Sequence, residues 1–150
     1  MKTILLILLL FFSESSNSSP VGKGLSCNKI ADKEPNSFEN FRGIFFESEN
    51  SVRVVSFKNK NKSLKVISKV TPYKISQDNI EFKIKFIWYG DISFEYFNIN
   101  RGNLNLAHKF QNKSHNLECN ILEGDFMSEM TNIKFKYQES FNIDLKTNKI

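Results

Sequence analysis

The sequence predicts an all-β fold: a small antiparallel sandwich or barrel of about seven to eight strands, with a possible short C-terminal helix. Three observations carry that reading. Short apolar stretches recur every 8–12 residues or so, and clusters of Asn, Gly, Ser and Lys separate them. Ile80, Phe82, Ile84 and Phe86 alternate strictly with Glu81, Lys83 and Lys85, the period of a strand with one face in the core and one in water. Asn100-Arg101-Gly102-Asn103 is a strong hairpin turn, because Gly and Asn accept positive φ.

The elements follow in order. Leu25 and Cys27 alternate with polar neighbours and predict a first strand over about 24–30. Residues 31–40 hold Pro35, Asn36 and several charges and read as a loop. Phe41 to Glu47 is rich in aromatics and ends at the turn signal Ser48-Glu49-Asn50. Val52, Val54, Val55 and Phe57 predict a strand, residues 58–63 a polar turn, and Leu64, Val66 and Ile67 another strand. Pro72 confines a strand there to an edge or a new start. After the turn at Gly90-Asp91, Ile92, Phe94 and Tyr96 alternate, then the phase slips to Phe97 and Ile99, which predicts a bulge. Leu104 and Leu106 return, residues 111–116 turn again, and Leu117, Cys119 and Ile121 make the last clear strand. In the tail, Phe126, Met130, Ile133 and Tyr137 have helical spacing, while Ile133, Phe135 and Tyr137 alternate as a hairpin would. A short helix from about 125 is the favoured reading.

The N-terminus bears on location. Met1-Lys2-Thr3 precedes an unbroken apolar run from Ile4 to Phe12, then a serine-rich stretch: the pattern of a secretory signal peptide, too short to cross a bilayer. The expected layout is a signal over 1–15, a flexible lead-in over 16–23 and one β-rich domain over 24–150. An exported protein, periplasmic or secreted, meets an oxidising compartment. Cys27 and Cys119 are therefore expected to form a structural disulfide rather than a redox pair, since Cys-x-x-Cys is absent.

The charge is mildly basic, with 21 Lys+Arg against 16 Asp+Glu and a net of +5. Only Arg42, Arg53 and Arg101 are arginines, so the side chain best suited to bidentate phosphate recognition is scarce and nucleic acid is disfavoured as a partner. An anionic surface or an acidic envelope protein fits better. The three Asn-x-Ser sequons, at Asn17, Asn61 and Asn112, follow from a composition rich in Asn and Ser.

Searching for chemistry gives little. His108 and His115, with Cys27 and Cys119, could supply two nitrogens and two sulfurs but lack the closely spaced ligand pairs of a zinc site. There is no Gly-x-Ser-x-Gly elbow and no glycine-rich phosphate loop. Glu47 and Glu49 read as a solvated pair near a turn. No catalytic residue, metal or cofactor is assigned. The candidate partner contacts are Trp88 and Tyr89, an aromatic pair ending the amphipathic strand, and the basic turn of Lys58, Lys60 and Lys62.

The layout resembles small exported two-cysteine proteins of AT-rich, marine-type bacteria. The matching residues are Gly24-Leu25-Ser26-Cys27, Gly43-Ile44-Phe45-Phe46-Glu47, Trp88, the stretch from Ile99 to Leu106, and Glu118-Cys119. That resemblance implies a secreted β-rich fold and brings no activity with it. The chain is also similar, more distantly, to periplasmic inhibitors of C-type lysozymes, which are small exported barrels with a cysteine bridge. Trp88-Tyr89-Gly90 lacks the lysine of their Trp-Lys-Gly segment and their Ser-Gly loop has no counterpart, so no inhibitory residue carries over. The expected function is a non-catalytic binding or envelope-associated module. The alternatives are an inhibitor of a lysozyme-type hydrolase and an enzyme of unrecognised type.

Overall fold

Alternating apolar residues fold the chain into strands that each pair with the next. The computed structural model describes residues 18–29 and 38–147. The signal-like segment lies outside those residues. In chain order the strands are β1 (Gly24–Lys29), β2 (Arg42–Ser48), β3 (Ser51–Lys60), β4 (Ser63–Ile75), β5 (Asn79–Trp88), β6 (Asp91–Asn100), β7 (Asn105–Phe110) and β8 (Lys113–Leu122), followed by the helix α1 (Phe126–Thr147). Every neighbouring pair is antiparallel, and β8 returns to pair with β1, so the sheet closes into an eight-stranded barrel. Closure removes the exposed edges that an open sheet would present.

Inward rows from the strands fill the barrel. Leu25, Ile44, Val52, Val54, Phe82, Ile84, Phe97, Ile99, Leu106 and Leu117 are all buried there, and the Phe82 and Phe97 rings stack at 4.9 Å. Eight strands enclose a space that side chains can fill. Outward rows are mainly polar, as at Glu81, Lys83, Lys85, Asn98 and Lys109. This is the reverse of a barrel that spans a bilayer, whose outside is apolar. No helix among the described residues is long and apolar enough to cross a membrane. Cys27 and Cys119 sit directly opposite each other on the β1–β8 seam and are joined, so the disulfide staples the barrel where it closes.

A second core lies outside the barrel wall. Phe41, Val55, Phe57, Phe126 and Met130 pack together beneath α1. Asp125 starts the helix: its Oδ1 accepts the Ser128 N–H at 2.7 Å, an N-cap that satisfies an otherwise orphaned donor. Small residues on the wall let the helix sit close. A side chain built at Gly43 would run into the sulfur of Met130 and meet Phe126 Cζ at 3.3 Å, and one at Gly24 would meet Phe126 Cδ2 at 2.9 Å. Gly43→Val is therefore expected to cost about 1–3 kcal/mol through overpacking, read as a lowered thermal midpoint with the strand signal in far-UV circular dichroism retained.

Several sequence expectations are corrected. The predicted bulge near Tyr96 is absent: the β5–β6 register runs unbroken from Asn79↔Asn100 to Trp88↔Asp91. The phase slip arises because Phe97 and Ile99 face inward while Ile92, Phe94 and Tyr96 face outward. A register shift falls instead in β2, between Phe46 and Ser48. The polar segment 58–63 is mostly strand, with only Asn61 and Lys62 turning, at φ 54° and 64°. Likewise β8 begins at Lys113, inside the stretch read as a turn. The expected C-terminal helix is present, over Phe126–Thr147.

Pro72 lies within the 13-residue β4, not at its start, and its effect is local. The β4–β5 ladder holds only over Tyr73↔Phe82, Lys74↔Glu81 and Ile75↔Ile80. Continuing that register places Pro72 opposite Lys83. Proline has no N–H to give the Lys83 carbonyl, so the ladder stops. Side chains take over: Thr71 Oγ1 donates to Lys83 O at 2.7 Å and Lys69 Nζ to Lys85 O at 3.1 Å. Beyond Pro72 the seam between β4 and β5 is bridged by side chains rather than by backbone.

Candidate functional site

Up-and-down order sets which turns share an end of the barrel. The β3–β4, β5–β6 and β7–β8 turns lie at one end, here the turn end, where β1 also ends and β2 begins. Charge follows this geometry. Lys58, Lys60 and Lys62 lie on the first of these hairpins, Lys83 and Lys85 approach the second, and Lys109 and Lys113 flank the third. Glu47, Glu49, Asp78, Glu81, Glu123 and Asp125 lie toward the opposite end with Lys23, Arg53, Lys74 and Arg101, while Glu39 and Asp91 are at the turn end. Lysines therefore outnumber acids at the turn end, and the two signs are closer to balance at the other.

Two of these hairpins are long, and they are held differently. Gln138 of α1 grips the β3–β4 turn, accepting the Leu64 N–H at 2.7 Å and donating to Lys62 O at 3.1 Å. The β5–β6 hairpin is braced below its tip instead: Lys69 Nζ donates to Lys85 O and lies 3.8 Å from the centre of the Phe86 ring, which meets Phe110 edge-on at 6.1 Å. Its ladder with β4 ends at Tyr73↔Phe82 and its ladder with β7 ends at Glu95↔Phe110. The pairs Lys85↔Phe94, Phe86↔Ser93, Ile87↔Ile92 and Trp88↔Asp91 continue beyond both. At about 3.3 Å per residue, the four residues from Asp91 to Phe94 carry this arm roughly 13 Å past its last pairing with β7.

The arm ends in a two-residue turn with Tyr89 at φ 48° and Gly90 at φ 90°. Positive φ at both positions matches the twist of a hairpin and suits glycine, but an aromatic residue is uncommon there. Tyr89 is 95% exposed, Ile87 73% and Ile92 59%. Ile87 and Ile92 thus leave most of their apolar surface in water at the end of the ribbon. Behind them, an open groove of about 840 Å³ crosses the outer face of β4 to β8; Lys83, Lys85, Lys109, Phe94 and Tyr96 are among its walls. Lys83 Nζ lies 4.8 Å from the centre of the Phe94 ring, a cation–π contact.

Beneath the arm, inside the barrel, is a charged cluster that sequence reading missed. Glu95 Oε1 lies 2.8 Å from Arg42 Nη2 and 2.5 Å from His108 Nε2, and the three side chains are 9%, 14% and 8% exposed. His108 Nε2 makes no aligned hydrogen bond, so its contact with the carboxylate is one of proximity. Burial opposes ionisation of Glu95, but His108 and the Arg42 guanidinium outweigh it and hold the carboxyl below its ordinary range. Arg42 also donates to the carbonyls of Glu39 and Phe41. The His108 ring stacks on Phe97 at 4.9 Å, and the His115 ring is 6.1 Å from it. Burial first, then the cations His108, Lys29, Lys113 and Arg42, push His115 below the usual histidine value. Each member of the cluster has a structural partner, and nothing in it is aimed at a cleft as a nucleophile would be.

Comparison with protein-family models, curated proteins and solved structures finds no match for this chain.

The sequence candidates therefore rest on geometry. Lys58, Lys60 and Lys62 and the Trp88-Tyr89 pair share the turn end, on separate hairpins. The backbone of Trp88 closes β5 opposite Asp91; its side chain lies outside the described ones. Cys27 and Cys119 are consumed by their bond. With the Cys27 sulfur in the disulfide and His108 facing Glu95, the zinc set considered above has no geometry behind it. Glu47 pairs with Arg53 Nε at 2.5 Å near the surface rather than with Glu49. Ile92 was legible only as part of the phase slip in β6, and Ile87 and Glu95 carried no signal of their own.

Proposed function

We propose that this protein is an exported, non-catalytic binding module that docks onto a polyanionic surface of the cell envelope with the turn end of its barrel. The observation that carries the reading is the excess of lysines at that end, where the β5–β6 hairpin also runs beyond its ladder with β7. Such a field orients the molecule on approach and accelerates encounter with an anionic surface. The signal-like N-terminus and the disulfide support export, and the resemblance to small exported two-cysteine proteins agrees with both.

The test is retention of the oxidised protein, residues 16–150, on anionic envelope material. Retention is expected to fall as salt rises, because exposed charges are screened beyond about 8–10 Å at physiological ionic strength. Replacing Lys58, Lys60 and Lys62 by Glu should release the protein at distinctly lower salt with its thermal midpoint unchanged. Retention that ignores both salt and these charges contradicts the proposal.

One observation favours a second reading, a hydrolase inhibitor: the arm presents an exposed tyrosine at its tip, the shape of a plug. That reading requires a stoichiometric complex with a lysozyme-type enzyme and loss of its turnover.

A further inference from the structure

We propose that the β5–β6 arm inserts into an anionic phospholipid bilayer, with Ile87, Tyr89 and Ile92 entering the interface and Lys83 and Lys85 engaging headgroup phosphates. This rests on the docking reading above and names the surface as lipid.

The argument begins with the register. Ile87 and Ile92 are directly paired across the hairpin, so both side chains leave the same face of the ribbon. That face is the outer one, because Phe82 and Ile84 on the alternate positions of β5 are buried inside the barrel. Period two then puts Lys83, Lys85 and Ile87 in one outward row, and Ile92, Phe94 and Tyr96 in the row beside it. Each row has its apolar member at the tip, with the lysines set back on β5. From Ile87 to Lys83 is about 13 Å along the strand. A tip lying just below the headgroups therefore leaves the lysines level with the phosphates.

The apolar exposure is otherwise hard to place. Exposed single residues are ordinary, but a cross-strand isoleucine pair beside a tyrosine, on a ribbon projecting past the barrel, is a concentrated apolar tip. A bilayer takes such a tip without a complementary pocket, whereas a protein partner would need one. Charge points the same way. On this hairpin the exposed acids are Asp91 at the tip and Glu81 at the base, with Lys83 and Lys85 between them and Lys109 alongside on β7. Lysines close to an anionic leaflet each strengthen binding roughly fivefold, and tyrosine favours the interfacial zone, where one end of its ring is dry and the other wet.

The chain's only tryptophan, Trp88, is at the end of β5 and reports on the tip directly. The experiment mixes the oxidised protein with vesicles of phosphatidylglycerol and phosphatidylcholine in equal parts, and with pure phosphatidylcholine vesicles. Sedimentation and Trp88 emission are read together. The expected result is binding to the anionic vesicles, a blue shift of emission, and quenching by lipids brominated on their acyl chains. Ile87→Ser with Ile92→Ser should weaken binding about tenfold or more while leaving the thermal midpoint unchanged. Lys83→Gln with Lys85→Gln should weaken it less and flatten its salt dependence.

Binding that salt reverses completely, with no emission shift and no effect of the isoleucine changes, overturns insertion and leaves charge-driven docking standing. Binding to anionic wall polymer but not to the vesicles does the same. Retention by neither overturns both. Capture of one stoichiometric protein through Ile87 and Ile92, without vesicle binding, overturns insertion and favours the inhibitor reading.

Discussion

Replacing Cys27 and Cys119 by serine is expected to destabilise the oxidised protein by about 4–5 kcal/mol. The two residues are 92 apart in sequence, so the bond denies the unfolded chain a very large set of open conformations. Loop-closure entropy grows only with the logarithm of loop length, yet at this separation the effect approaches the upper range seen for single bridges. A domain of this size has a total stability of about 5–15 kcal/mol, so the loss is a large share of the whole. The bond's position adds to the expectation. It joins the first strand to the last, and β1–β8 pairing is the step that converts a curled sheet into a barrel. That pairing has the longest sequence separation in the fold and forms against the greatest entropy. Urea denaturation of the wild type and the double serine variant should differ in midpoint by about 2–3 M with similar slopes. A difference under about 1 kcal/mol would mean that the reduced unfolded chain already holds its ends together. The oxidised protein should also carry no alkylatable thiol.

The barrel was legible because alternation is a local signal. Where a strand faces core on one side and water on the other, as β5 does from Ile80 to Phe86, the pattern writes itself into seven consecutive residues. Where both faces are covered, the pattern blurs. Val54 points into the barrel and Val55 under α1, so β3 reads as an apolar run without a clear face. The choice between sandwich and barrel was not legible, since it depends on whether β8 meets β1, a contact between chain ends. The arm was visible only as an anomaly. Ile92, Phe94 and Tyr96 fall on the outer face, which led to the expectation of a bulge, because apolar residues were assumed to point inward. A sequence reading that treats every apolar residue as core cannot find a surface built from apolar residues. The turn-end concentration of lysines needs the strand order as well, for Lys58 and Lys85 are far apart in sequence and share an end only because β3 and β5 run parallel in space.

The buried cluster gives the second large effect. Glu95→Ala is expected to cost about 3–5 kcal/mol, because it leaves the Arg42 guanidinium in the barrel interior without its counter-charge and opens a gap beside His108. Acid should act on the same contact. The folded protein holds the Glu95 carboxyl below its ordinary value, so the folded state binds fewer protons there than the unfolded state. The stabilisation is complete above the ordinary carboxylate range and is lost as pH falls through the folded value. His115 is also held below its usual value, and it acts in the same direction at higher pH: stability begins to fall as pH drops below about 6.5. Urea midpoints measured from neutral pH downward should therefore decline in two stages in the wild type, and Glu95→Ala should remove the lower one while leaving the upper. The cost of the single change must not be mistaken for the worth of the cluster. Replacing Arg42, Glu95 and His108 together by apolar residues of similar volume removes the desolvation penalty along with the attraction, and such exchanges are often neutral or stabilising by about 1–4 kcal/mol. If the triple variant is as stable as the wild type and still binds anionic surfaces, the cluster serves folding specificity alone. If it folds but the Trp88 arm no longer binds, Glu95 on β6 is what fixes the base of the arm, and the charges inside the barrel act as positioning residues for the contact outside it.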